Sequence, residues 1–143
     1  MFEIPVQLKN DCFIIGRFRL SSLLLMNDTN YPWFILLPER ENTREIFELG
    51  DEDQSELMKE ISFLSKNLSE VFNADKINIA ALGNVVHQLH IHVIVRYKND
   101  AAWAGPVWGK FPAVKYSDEE KNLIIRKLKS FLPPEFEYSD QFI

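Results

Sequence analysis

The chain has 143 residues, 46% of them hydrophobic and 13% aromatic, enough for one domain that buries about 70% of the surface its unfolded chain exposes. Its 21 acidic and 16 basic side chains leave a net charge of −5, which argues against nucleic acid as a main partner, since a phosphate backbone calls for a basic footprint. The single Cys12 makes no internal disulfide and no thiolate metal cage, as befits a reducing cytoplasm. The opening MFEIPVQLKN has no signal-peptide pattern, and no apolar run approaches the roughly 18 residues of a membrane span.

In chain order, residues 12–19, 22–26 and 33–37 are short apolar runs separated by the turn residues Asn27, Asp28, Asn30 and Pro32. They predict consecutive strands of an antiparallel meander. From Asp51 to about Asn73 the apolar residues Leu57, Ile61, Leu64, Leu68 and Val71 recur every three or four positions, the stripe of one long helix. Asp51, Glu52 and Asp53 are expected to cap its start and complement its dipole. Residues 76–82 and 85–96 return to strand character, with Gly83-Asn84 as a tight connection. Residues 97–116 have no period and form an ordered loop holding Trp103 and Trp108. A last helix runs from about Asp118 to Leu132, opened by a capping box of Ser117 and Glu120 and stopped by Pro133-Pro134. No repeat or linker divides residues 1–143, so the expected fold is one α+β domain.

Charge is uneven along this order. Residues 39–60 hold nine acids and three bases, the composition of a solvated loop and helix face. Residues 96–115 carry Arg96, Lys98, Lys110 and Lys115 against Asp100 alone, a locally basic stretch suited to a small anion.

All 3 histidines lie between residues 87 and 92. On a strand the side chains alternate, so Gln88, His90, His92 and Arg96 share one face while Leu89, Ile91, Val93 and Val95 share the other, apolar one. The apolar face is the core face, and it fixes the register that sets His90 beside His92. His87 falls on the odd face as a satisfied strand-edge histidine. Two imidazoles on one face are too few for an ordinary zinc site, which takes three or four protein ligands, so neither metal nor other cofactor is expected. An imidazole with an ordinary pKa of about 6.5 is largely neutral near pH 7 and can attack phosphorus directly, while a second one beside it assists at the phosphoryl group.

The run Gln88-Leu89-His90-Ile91-His92-Val93-Ile94 resembles the strand of the histidine-triad (HIT) family, nucleotide hydrolases and transferases with a His-φ-His-φ-His-φ-φ motif in which φ is apolar. Gly83-Asn84, Arg96 and the upstream stretch WFILLPERENTREIFELGDEDQSEL are similar as well, so that the resemblance covers about residues 12–96. It implies a HIT-like fold and a homodimer. It also implies cleavage at the α-phosphate of a nucleotide phosphoanhydride or phosphoramidate, as in bacterial diadenosine tetraphosphate hydrolase-like members. By the match, His90 is the nucleophile that becomes nucleotidylated, His92 assists at the phosphate, Asn84 lies near the phosphates, Asn78 is the asparagine of the preceding strand close to the site, and Asn27 and Asp28 stand at the ribose-contacting position.

Two positions depart from the family pattern. Gln88 replaces the first triad histidine as the third catalytic candidate; an amide exchanges hydrogen bonds but shuttles no proton, so it either orients the nucleophile or contacts a phosphate oxygen, and any proton transfer falls to His92 or water. Trp33 stands where a further histidine is common; it either stacks on a base or packs, as most aromatics do. Trp103 and Trp108 lie beyond the match and are open to three roles: lining a nucleotide pocket, sealing a dimer interface or closing the core. Two rival functions follow, a nucleotide-binding module weakened in catalysis and a histidine metalloenzyme.

Overall fold

A computed structural model describes residues 1–142. Its elements in chain order are α1 (Val6–Asp11), β1 (Cys12–Arg17), β2 (Ser21–Met26), β3 (Trp33–Pro38), α2 (Asp51–Val71), β4 (Lys76–Ala80), β5 (Ile91–Arg96), α3 (Asp118–Lys129) and β6 (Glu137–Tyr138). The strands form a single antiparallel sheet in the order β4-β5-β3-β2-β1-β6. This is the expected α+β architecture, with the meander β1-β2-β3 extended by strands on both sides. No helix among the described residues is long and apolar enough to cross a membrane.

The sheet buries both faces, each for a different reason. On one face the α2 stripe of Leu57, Ile61, Leu64 and Leu68 joins Ile125 and Leu128 of α3 against Leu23, Leu25, Phe34, Leu36, Ile91, Val93 and Val95. On the other face Leu24, Trp33, Ile35, Leu37 and Ile94 are covered by Leu8 of α1 and by Ala102 and Val107 from the segment after β5. The odd residues of β5 thus pack on helices as expected, and its even residues are no less buried: His92 is 5% and Arg96 1% exposed.

Several boundaries differ from those read in the sequence. The strand expected over 85–96 begins only at Ile91, because the preceding residues are drawn away from β4 toward the loop after β3. The Leu89 amide donates to the Thr43 carbonyl at 2.8 Å, and the Gln88 side chain donates to the Arg40 carbonyl at 2.8 Å. Residues 81–90 are therefore a loop, Gly83-Asn84 is not a two-residue hairpin turn, and His87 is on no strand face. His87 is exposed, with Nδ1 donating to the Gly83 carbonyl at 3.2 Å.

At the start of α2 the N-cap residue is Gly50, with no side-chain cap. Asp51, Glu52 and Asp53 occupy the first turn instead, so they complement the dipole without capping it. The box of Ser117 and Glu120 forms at α3 as expected, the Glu120 amide donating to Ser117 Oγ at 3.2 Å. Two short elements, α1 and β6, lack any period that would announce them. β6 pairs with β1 at Gly16, where a Cβ would collide with the Glu137 carbonyl oxygen, so only glycine admits this close approach.

Candidate active site

His92 lies on β5 between β3 and the edge strand β4, paired with Ile35 of β3 and Ala80 of β4. Trp33, two residues before Ile35, shares that face and is a diagonal neighbour, a separation an aromatic side chain spans. Its indole Nε1–H donates to His92 Nδ1 at 2.9 Å. An indole only donates, so Nδ1 must carry the lone pair and the ring proton resides on Nε2. Burial, with His90 adding to it, pushes the His92 imidazole down to about 3. His92 is therefore neutral, with Nε2–H as its available donor. Trp33 is 7% exposed and packs as well, its ring lying 6.3 Å from that of Tyr31.

His90 precedes β5 and is 5% exposed. Its Nδ1 lies 2.8 Å from the main-chain carbonyl oxygen of Gln88. A carbonyl only accepts, so Nδ1 bears a proton, and the tautomer this selects has its free lone pair on Nε2. The two rings stand 5.0 Å apart at 66°. Gln88 thus orients His90 through its backbone, and one N–H of its side-chain amide donates to the Arg40 carbonyl. The two imidazoles consequently hold opposite tautomers: His90 offers an electron pair and His92 offers a proton donor.

The segment after β5 is anchored by a polar cluster. Arg96 Nε and Nη2 reach both carboxylate oxygens of Asp100 at 2.8 and 3.0 Å, and Nη1 donates to Asn78 Oδ1 at 2.8 Å. Burial pushes the Asp100 carboxyl up, but the Arg96 and Tyr97 hydrogen bonds outweigh it and hold the group below the usual carboxylate range. Tyr31 and Trp103 each place a ring 5.6 Å from the guanidinium. Two sequence expectations change here. Arg96 is neutralised in the interior and does not belong to a basic surface for an anion, and the Asn78 amide oxygen serves Arg96. Trp103 is 39% exposed and flanks this cluster.

Trp108 belongs to the histidines. Its ring lies 5.1 Å from His92 and 5.9 Å from Trp33, edge-on to both, so it closes this face of the core. Its Nε1–H is buried without a partner among the described residues, which marks it as a donor still to be satisfied.

Asn27 and Asp28 hold the same loop further along. Asn27 Oδ1 accepts from the Tyr116 amide at 2.8 Å, and Asp28 Oδ1 accepts from the Asn30 and Val114 amides at 3.0 and 3.2 Å. Beneath this strap is a cavity of about 290 Å³ lined by Asn27, Asp28, Trp33, Val107, Phe111 and Lys115. A small cleft lined by Arg44, Glu45, Leu82 and Gly83 opens at His90. Asn84 is exposed in the 81–90 loop, next in sequence to Gly83 of that cleft. A larger cavity, about 580 Å³, lies between Arg19, Arg40 and the first turns of α2; there Arg40 is paired with Asp53 at 2.6 Å and no imidazole is present.

Among the described residues no three His, Cys, Asp or Glu side chains are placed to hold a metal ion. Cys12 is buried and its thiol is pushed up to about 12, so it offers no thiolate nucleophile. The roles of Asp100, Trp108 and the Gln88 carbonyl are set by the fold and not expected from the sequence. Only Asp100 left a signal, its spacing of four from Arg96.

A family model described as HIT domain matches residues 7–99. A histidine triad protein from Marinobacter aquaeolei VT8 is 48% identical and superposes with a TM-score of 0.90 over 92% of this chain and 96% of its own. A histidine triad protein from Bradyrhizobium japonicum is 42% identical, with a TM-score of 0.90 over 92% of this chain and 98% of its own. At 24% identity, diadenosine triphosphate hydrolase from Plasmodium falciparum shares the fold, with a TM-score of 0.54 over 70% of this chain and 68% of its own. No curated protein matches the chain.

Proposed function

The chain belongs to the histidine-triad family, whose members are generally nucleotide hydrolases and transferases, and from that premise we propose that it transfers a nucleotidyl group through an intermediate on His90. The observation that carries this is the bond from His90 Nδ1 to the Gln88 carbonyl, which leaves Nε2 as a positioned nucleophile. Attack at the α-phosphate of a dinucleoside polyphosphate or similar nucleotide forms the N–P bond and expels the leaving group. Water then cleaves that bond to release a nucleoside monophosphate. His92 donates Nε2–H to a phosphoryl oxygen, where a fixed donor stabilises charge that grows in the transition state.

The cavity beside Trp33 is the natural seat of the nucleoside, with Phe111 and Val107 for the base and Asp28 and Lys115 as polar contacts. Asn84 follows Gly83, a lining residue of the cleft at His90, and in this reading it contacts the phosphates. Asn78 supports the site through Arg96. One domain spanning residues 1–143 suffices for this work in the cytoplasm, without a metal. A second copy is expected along β4, a sheet edge that carries Ile79 at 51% exposure and runs into Leu82 and Val85, also exposed, since an uncovered apolar edge invites pairing.

The test is hydrolysis of diadenosine tetraphosphate by the wild-type chain and by His90→Ala. Removal of a nucleophile is expected to lower turnover by about 1,000-fold or more, with the fold retained by circular dichroism. Equal turnover by both proteins contradicts the assignment. Nucleotide binding with no turnover by the wild type identifies a binding module instead.

A further inference from the structure

We propose that Trp33 locks His92 as a neutral Nε2–H donor, and that the enzyme therefore acts on nucleotides whose leaving group departs as a stable oxyanion, phosphate, polyphosphate or carboxylate, and discriminates against phosphoramidates. The inference rests on nucleotidyl transfer through His90 and deepens it by naming the leaving group.

Trp33 Nε1–H points at His92 Nδ1, and an indole nitrogen has no lone pair to offer in return. His92 gains a second proton only by losing that hydrogen bond inside the core, where a charged ring is costly. Every element packed against the ring agrees. β3 presents Trp33 and Ile35, β4 presents Ala80, and the loop presents Trp108. The titratable group facing it is His90, which disfavours a second charge.

His90 cannot supply a proton either. Its Nδ1–H serves the Gln88 carbonyl and its Nε2 is the attacking atom. At the first triad position the side chain is an amide, which has no proton to give near neutral pH; one of its N–H groups donates to the Arg40 carbonyl. No side chain in contact with the two imidazoles is therefore placed to act as a general acid toward the leaving group.

The two bond types respond differently to that lack. With a phosphoanhydride or acyl phosphate, the lone pair of His90 Nε2 forms the N–P bond while the bridging O–P bond breaks. The oxygen keeps the electron pair and leaves as a stable anion. The ring retains its Nδ1 proton and bears the positive charge until water attacks phosphorus, the N–P pair returns to Nε2 and one proton passes to solvent. With a phosphoramidate, the departing nitrogen keeps the electron pair of the P–N bond and must gain a proton to leave as an amine. His92 could give one only by becoming an imidazolate. A hydrogen bond from Nε2–H still stabilises phosphoryl oxygens in both cases, so the deficit falls on the leaving group alone.

Two measurements test this. Nitrogen NMR of histidine-labelled wild-type protein reads the tautomer of His92 with no substrate present. Nδ1 is expected to be unprotonated, Nε2 protonated and the ring silent through mildly acid pH; a protonated Nδ1 near neutrality overturns the lock. Kinetics then compare diadenosine tetraphosphate with adenosine 5′-phosphoramidate, which pass through the same adenylyl-His90 species. Because positioned general acids contribute about 100-fold or more, kcat/KM for the anhydride is expected to exceed that for the amidate by about that factor. Comparable values for the two substrates overturn the leaving-group inference while leaving His90 as nucleophile. Absence of an adduct from both overturns the reaction class and this inference with it.

Trp33→Phe keeps a packed ring and removes the donor, so it is expected to release His92 into mixed tautomers and to narrow the ratio. Trp33→His restores a group that both donates and accepts, and is expected to raise amidate cleavage by about 10-fold or more. A merely structural role for Trp33 moves neither the tautomer nor the ratio. If the variants do not fold, the two wild-type measurements still decide the outcome.

Discussion

The two faces of β5 are equally buried and are built by different rules. On the odd face Ile91, Val93 and Val95 meet the aliphatic stripe of α2, and the contact is non-directional. On the even face His92, Ile94 and Arg96 lie under a loop with no regular structure, and each polar atom there needs a named partner. The first face holds the sheet together, whereas the second converts the rigidity of that sheet into chosen tautomers. Damage to the odd face should therefore cost stability alone, and damage to the even face should also alter chemistry.

The largest effect on stability is expected at Arg96. Arg96→Ala leaves the Asp100 carboxylate buried without its partner, and breaking such a pair costs about 3–5 kcal/mol, measured by urea denaturation. Because Asp100 anchors the loop that carries Trp108, tryptophan fluorescence and nucleotide turnover should change with it. A loss below about 1 kcal/mol, the range of an exposed pair, breaks the comparison. On the opposite face, Leu64→Ala removes a fully buried side chain and should cost about 2–5 kcal/mol. At a temperature where the variant stays folded, its kcat and pH profile should match the wild type.

A smaller effect separates the faces by pH. In the folded protein burial holds His92 down to about 3, while in the unfolded chain it titrates near about 6.5. As pH falls, the unfolded state binds the proton first, so His92 subtracts stability from about 6.5 downward toward about 3, by at most about 1.4 kcal/mol per pH unit. Denaturation of the wild type and His92→Asn, near neutrality and at mildly acid pH, should show the steeper decline in the wild type. The buried Glu60 of α2, whose carboxyl burial pushes up, acts with the opposite sign and is common to both proteins. The smallest effect is expected at Gln88. Since the contact to His90 is made by the main-chain carbonyl, Gln88→Ala should cost about 1 kcal/mol for the bond to Arg40 and leave most of kcat intact. A loss of about 1,000-fold, the scale of a nucleophile, would instead give the side chain a part in catalysis.

How much of this is legible in the sequence follows the same division. The α2 stripe, the meander and the alternation around His92 are periodic, and a period survives translation into structure because burial alone enforces it. The start of β5 is not periodic information: residues 85–90 look like strand, yet the Thr43 and Arg40 carbonyls claim Leu89 and Gln88. These bonds join segments more than forty residues apart, beyond any local pattern. The alternation places Arg96 on the histidine face but says nothing of Asp100 folding back to neutralise it. Trp33 is visible as a departure from a family pattern, and only the 2.9 Å contact to His92 shows what the indole does. The loop over the even face is the least legible part, since Asn27 and Asp28 look like ordinary turn residues until Val114 and Tyr116 dock on them.

The central claim, that the free Nε2 of His90 is the nucleophile, is tested most directly by intact-mass measurement during brief exposure to diadenosine tetraphosphate, followed by peptide mapping under conditions that preserve N–P bonds. The account predicts one acid-labile adenylyl adduct per chain, located on His90 and absent from His90→Ala. An adduct on another residue, or rapid turnover with none trapped on quenching while His90→Ala retains full activity, would contradict it.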